Sequence, residues 1–371
     1  MSSFHDILSD PVILTSIEPF RYEGHRLVRT TASNGAVGVA AVNDRLGYLW
    51  PILEQFVLPY FIGKDIRDLP SLVDGVYTYH SAYKLAGIAL WSPVAYVELS
   101  LLDMLGKLAD RSVGDLLGNI ARRQIPIYLS SGNRDTTPEE EVAWLAERLA
   151  QTRATAVKLK IGGRMSHNAD AFPGRTDRLI PLARESFGDD VTIYVDANGS
   201  YDAEHAIEIA ALLADYGVAF LEEPCPWQEY WETKRVTDAR VLPVAGGEQD
   251  SALPVFAWMV RERVVDIVQP DMNYNGGLLR CLRVARMAAE VGMPIMPHSP
   301  KAGAEAAAVL HFGSLAPNLG PHQEWNARAA PAASWYTPTF EIRNGAVAVP
   351  DGPGLGIDYD PAIWARAERI A

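Results

Sequence analysis

The alternation of apolar and polar residues at the start of the chain predicts a small antiparallel sheet. Apolar residues alternate with polar ones over 13–20 and 25–31, which indicates two strands. The Asn34-Gly35 dipeptide is a typical hairpin turn, and the apolar run 36–42 that follows it predicts the return strand.

Beyond Leu46 the spacing of apolar residues becomes helical. Residues 94–117 carry apolar side chains at mixed i+3 and i+4 spacing, which predicts one mostly buried helix. The most apolar stretch, 86–102, is interrupted by Pro93 and Glu98. We expect it to be too short to span a bilayer, which takes about 20 apolar residues.

Residues 125 to about 330 show a different, repeating pattern in which short apolar runs alternate with helical stretches. The predicted strands are IPIYLS, AVKLKI, VTIYVDAN, VAFLEEP, LPVAGGE, VVDIVQPD, MPIMPHS and the weaker HQEWN. Eight such alternations in about 200 residues fit a (β/α)₈ barrel better than an open doubly wound sheet. No GxGxxG follows a strand, which weakens a dinucleotide-binding alternative.

These patterns predict an α/β protein in three segments. We expect an α+β domain over 1–122 and a barrel that holds the active site over 123–330. A Gly/Pro-rich segment, 331–371, should pack back on the N-terminal domain.

Composition narrows the function classes. The chain is 48% hydrophobic and 21% charged, so wholesale disorder is excluded. A net charge of −13 argues against nucleic acid or an anionic membrane as partner and favours a small-molecule substrate. The two cysteines are too few for a disulfide framework. The N-terminus has no signal-peptide pattern, so we expect a cytoplasmic protein. We also expect a homo-oligomer.

Carboxylates recur at the ends of consecutive predicted strands. Asp196 ends the third strand, Glu222 the fourth and Glu248 the fifth, at two equal steps of 26 residues. In a barrel these three should project into one mouth, where active sites of this architecture lie. Three converging carboxylates repel each other unless a cation neutralises them, and an all-oxygen ligand set favours Mg²⁺. The alternative is that they are ordinary solvated loop acids.

Two lysines stand on the second predicted strand. Lys158 and Lys160 are two residues apart, so both ammonium groups point to one face. Mutual repulsion and partial burial should lower the pKa of the inner lysine, so that it can serve as a general base. The alternative is a solvent-facing strand that happens to carry two lysines.

The remaining strand ends carry further candidates. Asp271 and His298 end the sixth and seventh strands, and a carboxylate beside an imidazole makes an acid/base dyad. Otherwise His298 is a hydrogen-bonded structural residue. Glu324, on the eighth strand, could when protonated donate a hydrogen bond to a developing oxyanion. Trp325, which follows it, could wall the pocket.

A series of short motifs runs the length of the chain. They are LLDMLGKLADRSVGDLLG, KLK, DAN, LEEP, GGEQ, QPDMNYNGG, MPHSP and PGLGI. Together they resemble the enolase superfamily, and within it the mandelate racemase subgroup. Two features depart from the pattern: a long segment at 162–177, which suggests a subgroup-specific loop, and a stretched, Pro-rich region around the eighth strand.

The resemblance implies an α+β capping domain over a modified (β/α)₇β barrel, one helix short of the eightfold pattern. It implies three Mg²⁺ ligands, two opposed bases, a carboxylate that supports one of the bases, and an acid that hydrogen-bonds the substrate carboxylate. Asp196, Glu222 and Glu248 would be the Mg²⁺ ligands, and Lys160 and His298 the two bases. Asp271 would support His298, and Glu324 would hydrogen-bond the substrate carboxylate.

The implied chemistry is abstraction of the proton α to a carboxylate. Loss of a β-hydroxyl as water then makes a 2-keto acid, and we expect a dehydratase of a sugar acid or related hydroxy acid. The alternatives are a racemase or epimerase and, from another class, a non-catalytic barrel used for binding. Candidate substrate contacts lie in the loops 19–25 and 48–56, at the end of strand one and in the DAN motif: Arg21, Tyr22, His25, Ser130, Ser131 and Asn198.

Overall fold

The predicted N-terminal strands form an antiparallel sheet. The structure, a computed structural model, describes residues 3–328 and 333–370. The first three strands are β1 (Leu14–Tyr22), β2 (His25–Ala32) and β3 (Val37–Val42). Their places confirm the alternation and the Asn-Gly hairpin turn.

Helices follow the sheet and complete the cap. They are α1 (Leu46–Ile52), α2 (Leu58–Phe61), α3 (Leu69–Gly75), α4 (Ile88–Leu108) and α5 (Val113–Leu117), with a π-helical turn at Leu53–Val57 and 3₁₀ turns at Ile66–Asp68 and Val76–Leu85. The single helix predicted over 94–117 is therefore wrong. Asp110 has φ +51°, which ends the helical path, and the Ser112 side chain caps the new helix by accepting from the Asp115 N–H.

Helix α4 is the core of the cap. With 21 residues it is long and apolar enough to cross a membrane, which corrects the expectation that this stretch is too short. However, 89% of its most apolar window is buried inside the protein. Such burial is typical of a central helix in a folded domain.

The repeating part of the chain forms a ring of parallel strands. They are β4 (Gln124–Ser130), β5 (Ala156–Lys160), β6 (Thr192–Asp196), β7 (Phe220–Glu222), β8 (Val244–Gly246), β9 (Ile267–Val268) and β10 (Gln323–Asn326). Strands β4 to β9 pair in chain order, and β10 pairs with β4. The seventh predicted strand is reduced to Ile295, which bridges Val268 and Leu319 and so completes the ring.

Seven helices connect these eight strand positions in the described residues. They are α6 (Pro138–Thr152), α7 (Arg175–Phe187), α8 (Ala203–Asp215), α9 (Tyr230–Asp238), α10 (Leu253–Glu262), α11 (Leu278–Glu290) and α12 (Ala307–Leu315), the last preceded by a 3₁₀ turn at Ala304–Ala306. The barrel is thus (β/α)₇β, as the family resemblance implies, and the eightfold helix pattern is wrong.

The C-terminal segment pairs with both parts of the chain. Its elements are β11 (Tyr336–Thr337), β12 (Ile342–Arg343), β13 (Ala346–Ala348), β14 (Asp358–Tyr359), a 3₁₀ turn at Pro361–Ala365 and β15 (Glu368–Arg369). Strand β13 runs antiparallel to β4 of the barrel, and β15 runs antiparallel to β1 of the cap. The predicted boundary at 330/331 lies outside the described residues, and the three domain ranges stay a prediction.

A buried carboxylate joins the cap to the barrel. Glu98 on α4 accepts hydrogen bonds from the backbone N–H groups of Leu278 (3.2 Å) and Leu279 (2.8 Å), at the start of α11. The preceding residue, Gly277, has φ +108°, and a Cβ there would overlap the Glu98 carboxylate. Glu98, which belongs to the N-terminal domain, therefore accepts hydrogen bonds at the N-terminus of a barrel helix, the helix end where negative charge is favoured.

A buried histidine makes the fold sensitive to acid. His311 on α12 accepts from the Gly114 N–H (3.2 Å) at Nδ1 and donates to the Leu355 carbonyl (3.1 Å) from Nε2. This arrangement needs the neutral imidazole, and burial lowers the pKa of His311 to about 4.

We expect His311 to make stability fall as the pH drops from about 6.5 to 4. In that range the unfolded imidazole binds a proton and the folded one does not, which costs roughly 3 kcal/mol. Urea unfolding of the wild type and of His311→Gln at pH 7, 5.5 and 4 measures this share. The variant should show the shallower pH dependence; equal slopes would contradict the assignment.

Candidate active site

Strand register gathers the predicted carboxylates at one end of the barrel. Lys160 on β5 is opposite Asp196 on β6, which is opposite Glu222 on β7. Glu248 lies two residues beyond β8. One oxygen from each of the three acids lies within 4.8 Å of the others, and all three side chains are buried.

This cluster fits a divalent cation. Ligand oxygens lie about 2.1 Å from Mg²⁺ and about 3 Å from their neighbours around it, so the three carboxylates would draw closer together on binding. Burial and the neighbouring Asp196 carboxylate raise the pKa of Glu222 to about 8, even though Lys158 opposes the shift. Glu248 Oε2 is buried and has no hydrogen-bond partner among the described residues. A cation bound between the three carboxylates would stabilise both Glu222 and Glu248.

Lys158 lies below the carboxylate cluster and forms ion pairs with two buried glutamates. Its Nζ donates to both carboxylate oxygens of Glu222 (2.7 and 2.8 Å) and lies 2.9 Å from Glu324 Oε1. Burial alone would lower the pKa of Lys158, but the Glu222 and Glu324 carboxylates raise it well above its ordinary value. Lys158 is the more buried of the two lysines, and the carboxylates around it hold its charge, so it lacks the lowered pKa that a general base needs.

Lys160 lies two residues after Lys158 on the same face of β5, nearer the open end of the barrel. Its ammonium forms an ion pair with Asp196 and lies 3.3 Å from Asn198 Oδ1. The same amide oxygen accepts from Arg134 Nη2 (2.8 Å). Asn198 also donates from Nδ2 to Glu223 Oε2 (3.2 Å), so it links the cationic side of the mouth to the acidic side.

His298 faces Lys160 across the acidic cluster. Its Nδ1 lies 2.7 Å from Asp271 Oδ2, and its Nε2 lies 3.4 Å from Glu248 Oε2. Burial opposes protonation, but the Glu248, Glu324 and Asp271 carboxylates raise the pKa of His298 to about 10. The structure thus places the predicted dyad in hydrogen-bonding contact and holds its imidazole in the charged form.

Glu324 reaches the site but not in the predicted form. It accepts from the Ser299 N–H (2.8 Å), and its other oxygen contacts Lys158. Burial alone would raise the pKa of Glu324, but the Lys158 charge lowers it to about 2. In this arrangement Glu324 is therefore an acceptor, because Lys158 supplies a positive charge that the sequence did not reveal. Its predicted role as a protonated donor to the substrate stays a prediction.

Trp325 does not wall the pocket. Side chains alternate along a strand, and Glu324 points inward, opposite Tyr128, in the register of β10 and β4. Trp325 therefore points outward and packs edge-on against Phe340, with ring centroids 6.2 Å apart. Tyr128 belongs to the apolar plug that fills the barrel below the charges, together with Ala156, Tyr194, Phe220, Ala245 and Met296.

The predicted serines are close to the site. Ser130, at the end of β4, pairs with Lys158 in register, and both Ser130 and Ser131 are buried. The Ser131 N–H donates to the Lys158 carbonyl (3.2 Å). Any role in substrate binding stays a prediction.

The predicted hairpin residues contact the C-terminal segment instead of the pocket. Arg21 pairs with Glu368, Tyr22 accepts from Arg366, and the His25 ring lies 4.8 Å from Trp335. They do not line the cavity above the carboxylates. Their part in substrate recognition stays a prediction without a supporting contact.

A cavity of about 330 Å³ opens above the cluster. It is lined by Arg45, Arg164, Met165, Asn198, Gly199, Glu223, Trp227, Glu248, Gln249, Tyr274 and His298. Sequence reasoning missed most of these. Arg164 and Met165 come from the unusual 162–177 segment, whose extra length was the one available signal, and Arg45 comes from the cap. A buried Gln269, which donates to Glu222 Oε2 (2.8 Å), was also missed although it stands in the QPD motif.

Known proteins resemble this chain throughout its length. Residues 141–363 match the Enolase C-terminal domain-like family. The chain therefore belongs to this family, within the enolase superfamily. Arabinonate dehydratase from Saccharolobus solfataricus is 29% identical over 315 residues, which cover 84% of this chain and 81% of that protein.

Solved structures agree with the fold. A protein from Roseobacter denitrificans, provisionally described as a racemase, is 36% identical with a TM-score of 0.90, covering 96% of this chain and 98% of that one. A mandelate racemase/muconate lactonizing protein from Paracoccus denitrificans, solved with magnesium, is 27% identical with a TM-score of 0.89, covering 97% and 99% of the two chains. These relatives confirm the capped barrel.

We expect Lys158→Met to destabilise the metal-free protein by about 3–5 kcal/mol, because two buried carboxylates lose their counter-charge. Added Mg²⁺ should then raise the melting temperature of the variant more than that of the wild type. Lys234→Met, which breaks the more exposed pair with Asp238, is the control and should cost under about 1 kcal/mol. Equal effects of the two variants would contradict the charge balance described above.

Proposed function

We propose that the protein is a Mg²⁺-dependent dehydratase of a sugar acid or related hydroxy acid. The observation that carries this proposal is the juxtaposition of a carboxylate triad with Lys160 on one side and His298 on the other. The dehydratase relative supports the reaction class.

The metal would be held by Asp196, Glu222 and Glu248. When bound, Mg²⁺ neutralises the negative charge that builds up on the substrate carboxylate as the α proton leaves. Asp196 would then be shared between the ion and the Lys160 ammonium group. Lys158 remains beneath, as a fixed charge between Glu222 and Glu324.

The chain's own groups then complete an elimination. Lys160 Nζ takes the α proton, and the electrons of that C–H bond form a carbon–carbon double bond as the β C–O bond breaks. His298, held by Asp271 and charged, gives its Nε2 proton to the departing hydroxyl, which leaves as water. The remaining enol tautomerises to a 2-keto acid.

Racemisation or epimerisation is the second candidate. Two proton-transfer groups on opposite sides of one carbon can also remove a proton from one face and return it on the other. The racemase description of the Roseobacter denitrificans relative favours this alternative. A non-catalytic barrel is disfavoured, since so many buried and mutually perturbed charges are typical of a catalytic site.

A screen of acid sugars with Mg²⁺, read for 2-keto acids with semicarbazide, tests the reaction class. We expect a product lighter by one water. Glu222→Gln and Asp196→Asn should fold normally and lose turnover, as should the wild type in chelator. Full activity in metal-stripped buffer would contradict the metal site. An isomer of unchanged mass that carries solvent deuterium would favour the racemase.

The two bases can be separated by isotope exchange. For a substrate whose α proton faces Lys160, His298→Asn should still exchange that hydrogen with D₂O but stop dehydration. Lys160→Met should lose both, by at least ~10²-fold. Mass spectrometry and NMR follow exchange and product together. Normal exchange in Lys160→Met would assign the base on that face to another residue.

A further inference from the structure

Two arginines line the candidate substrate cavity without an acidic partner. Arg45 and Arg164 share this space with Glu248 and His298. Among the described residues, no carboxylate lies within 4.0 Å of either guanidinium, although the chain carries 46 acids against 33 lysines and arginines. Arg45 Nε is moreover buried and has no hydrogen-bond partner in the described residues.

The two arginines reach the cavity from different parts of the chain. Arg45 comes from the cap and is held over the sixth strand position, where Tyr274 follows β9. It donates from Nη2 to the Tyr274 hydroxyl (2.7 Å) and lies 4.8 Å from that ring's centre. Arg164 follows β5, the second strand position, and its backbone N–H donates to Ser200 Oγ (3.0 Å).

Neighbouring groups do not neutralise these charges. Within 3–328 and 333–370, the Arg164 guanidinium reaches only the neutral amide oxygen of Asn198, at 3.5 Å. That oxygen already accepts from Arg134 and Lys160. The carboxylates that line the cavity are the metal-cluster member Glu248 and Glu223, which accepts from Asn198. The upper part of the cavity is therefore cationic, above an acidic floor.

An arginine keeps its charge at every ordinary pH and offers five donors and no acceptor. A substrate hydroxyl could accept one of those hydrogen bonds but would leave the charge uncompensated. A carboxylate or phosphate accepts two in parallel and neutralises the charge as well. The ligand chemistry that fits this part of the cavity is therefore an anion.

We propose that the substrate carries a second anionic group at its far end, bound by Arg45 and Arg164. The substrate class is a sugar diacid, or a sugar acid with a terminal phosphate. This inference rests on the proposed function in one respect only: the first carboxylate of the substrate is taken to bind at the triad.

Matched substrates provide the kinetic test. For each configuration, two acids with two anionic groups, here called dianions, are compared with the plain monoacid of equal chain length. They are the sugar diacid and the terminally phosphorylated monoacid. We expect kcat/KM to favour one of the dianions by about 10- to 100-fold, the value of one charge-assisted hydrogen bond. Arg45→Gln should remove that preference, mainly through KM. Arg45→Lys should restore part of it.

The control is Arg261→Gln on the exposed face of α10, where Arg261 pairs with its neighbour Glu262. It should keep the wild-type preference. Equal kcat/KM for the dianions and the monoacid, or an unchanged preference in Arg45→Gln, would overturn the proposal. Which dianion is preferred decides between carboxylate and phosphate.

Calorimetric titration of the Mg²⁺-loaded protein with the same acids is the second arm, because it measures affinity whether or not any acid reacts. Tighter binding of a dianion that weakens about 10- to 100-fold in Arg45→Gln supports the distal site even if no acid is dehydrated. In that case the proposed reaction fails and the inference stands. Turnover of monoacids with no gain from a second anionic group would support the proposed reaction and overturn this inference.

Discussion

Charge compensation inside the barrel mouth is the constraint on which the site depends. Asp196, Glu222 and Glu324 are fully or almost fully buried, and carboxylates in such surroundings are tolerated only when paired. Lys158 meets part of the demand by contacting both glutamates. The cluster still carries more negative than positive charge, and the distribution of acids leaves one place, between Asp196, Glu222 and Glu248, where another cation would balance it.

The apolar plug below the charges makes this balance rigid. Tyr194 stacks on Phe220 with ring centroids 4.3 Å apart, directly beneath the layer that contains Asp196 and Glu222. Close-packed rings leave the charged groups no room to sink or rotate away. The cap is fixed with similar firmness, because Glu98 binds the start of α11 and Arg45 binds Tyr274 just before it. Floor and lid of the cavity therefore have defined positions relative to each other.

The sequence predicted the site correctly where its residues recur at the ends of successive strands. Strand ends predicted the triad and the Asp271–His298 pair, since a barrel brings every strand's carboxyl end to one mouth. Partners set by tertiary packing could not be read this way. Arg45 is far from the barrel in sequence, and the form of Glu324 depends on a lysine 166 residues earlier (324 − 158). Trp325 was misplaced because the inward face of so short a strand cannot be chosen without its register.

The pairing of β15 with β1 has a consequence for how the protein is made. Arg21 and its partner Glu368 are 347 residues apart. At about 5–20 residues per second, a ribosome needs roughly 20–70 s to synthesise the chain between them. Throughout that time the outer edge of β1 offers unpaired backbone groups, and such an edge is a template for unwanted pairing. The nascent chain thus has a long vulnerable period in which chaperone cover matters most, and it ends only when nearly all of these residues have left the ribosome.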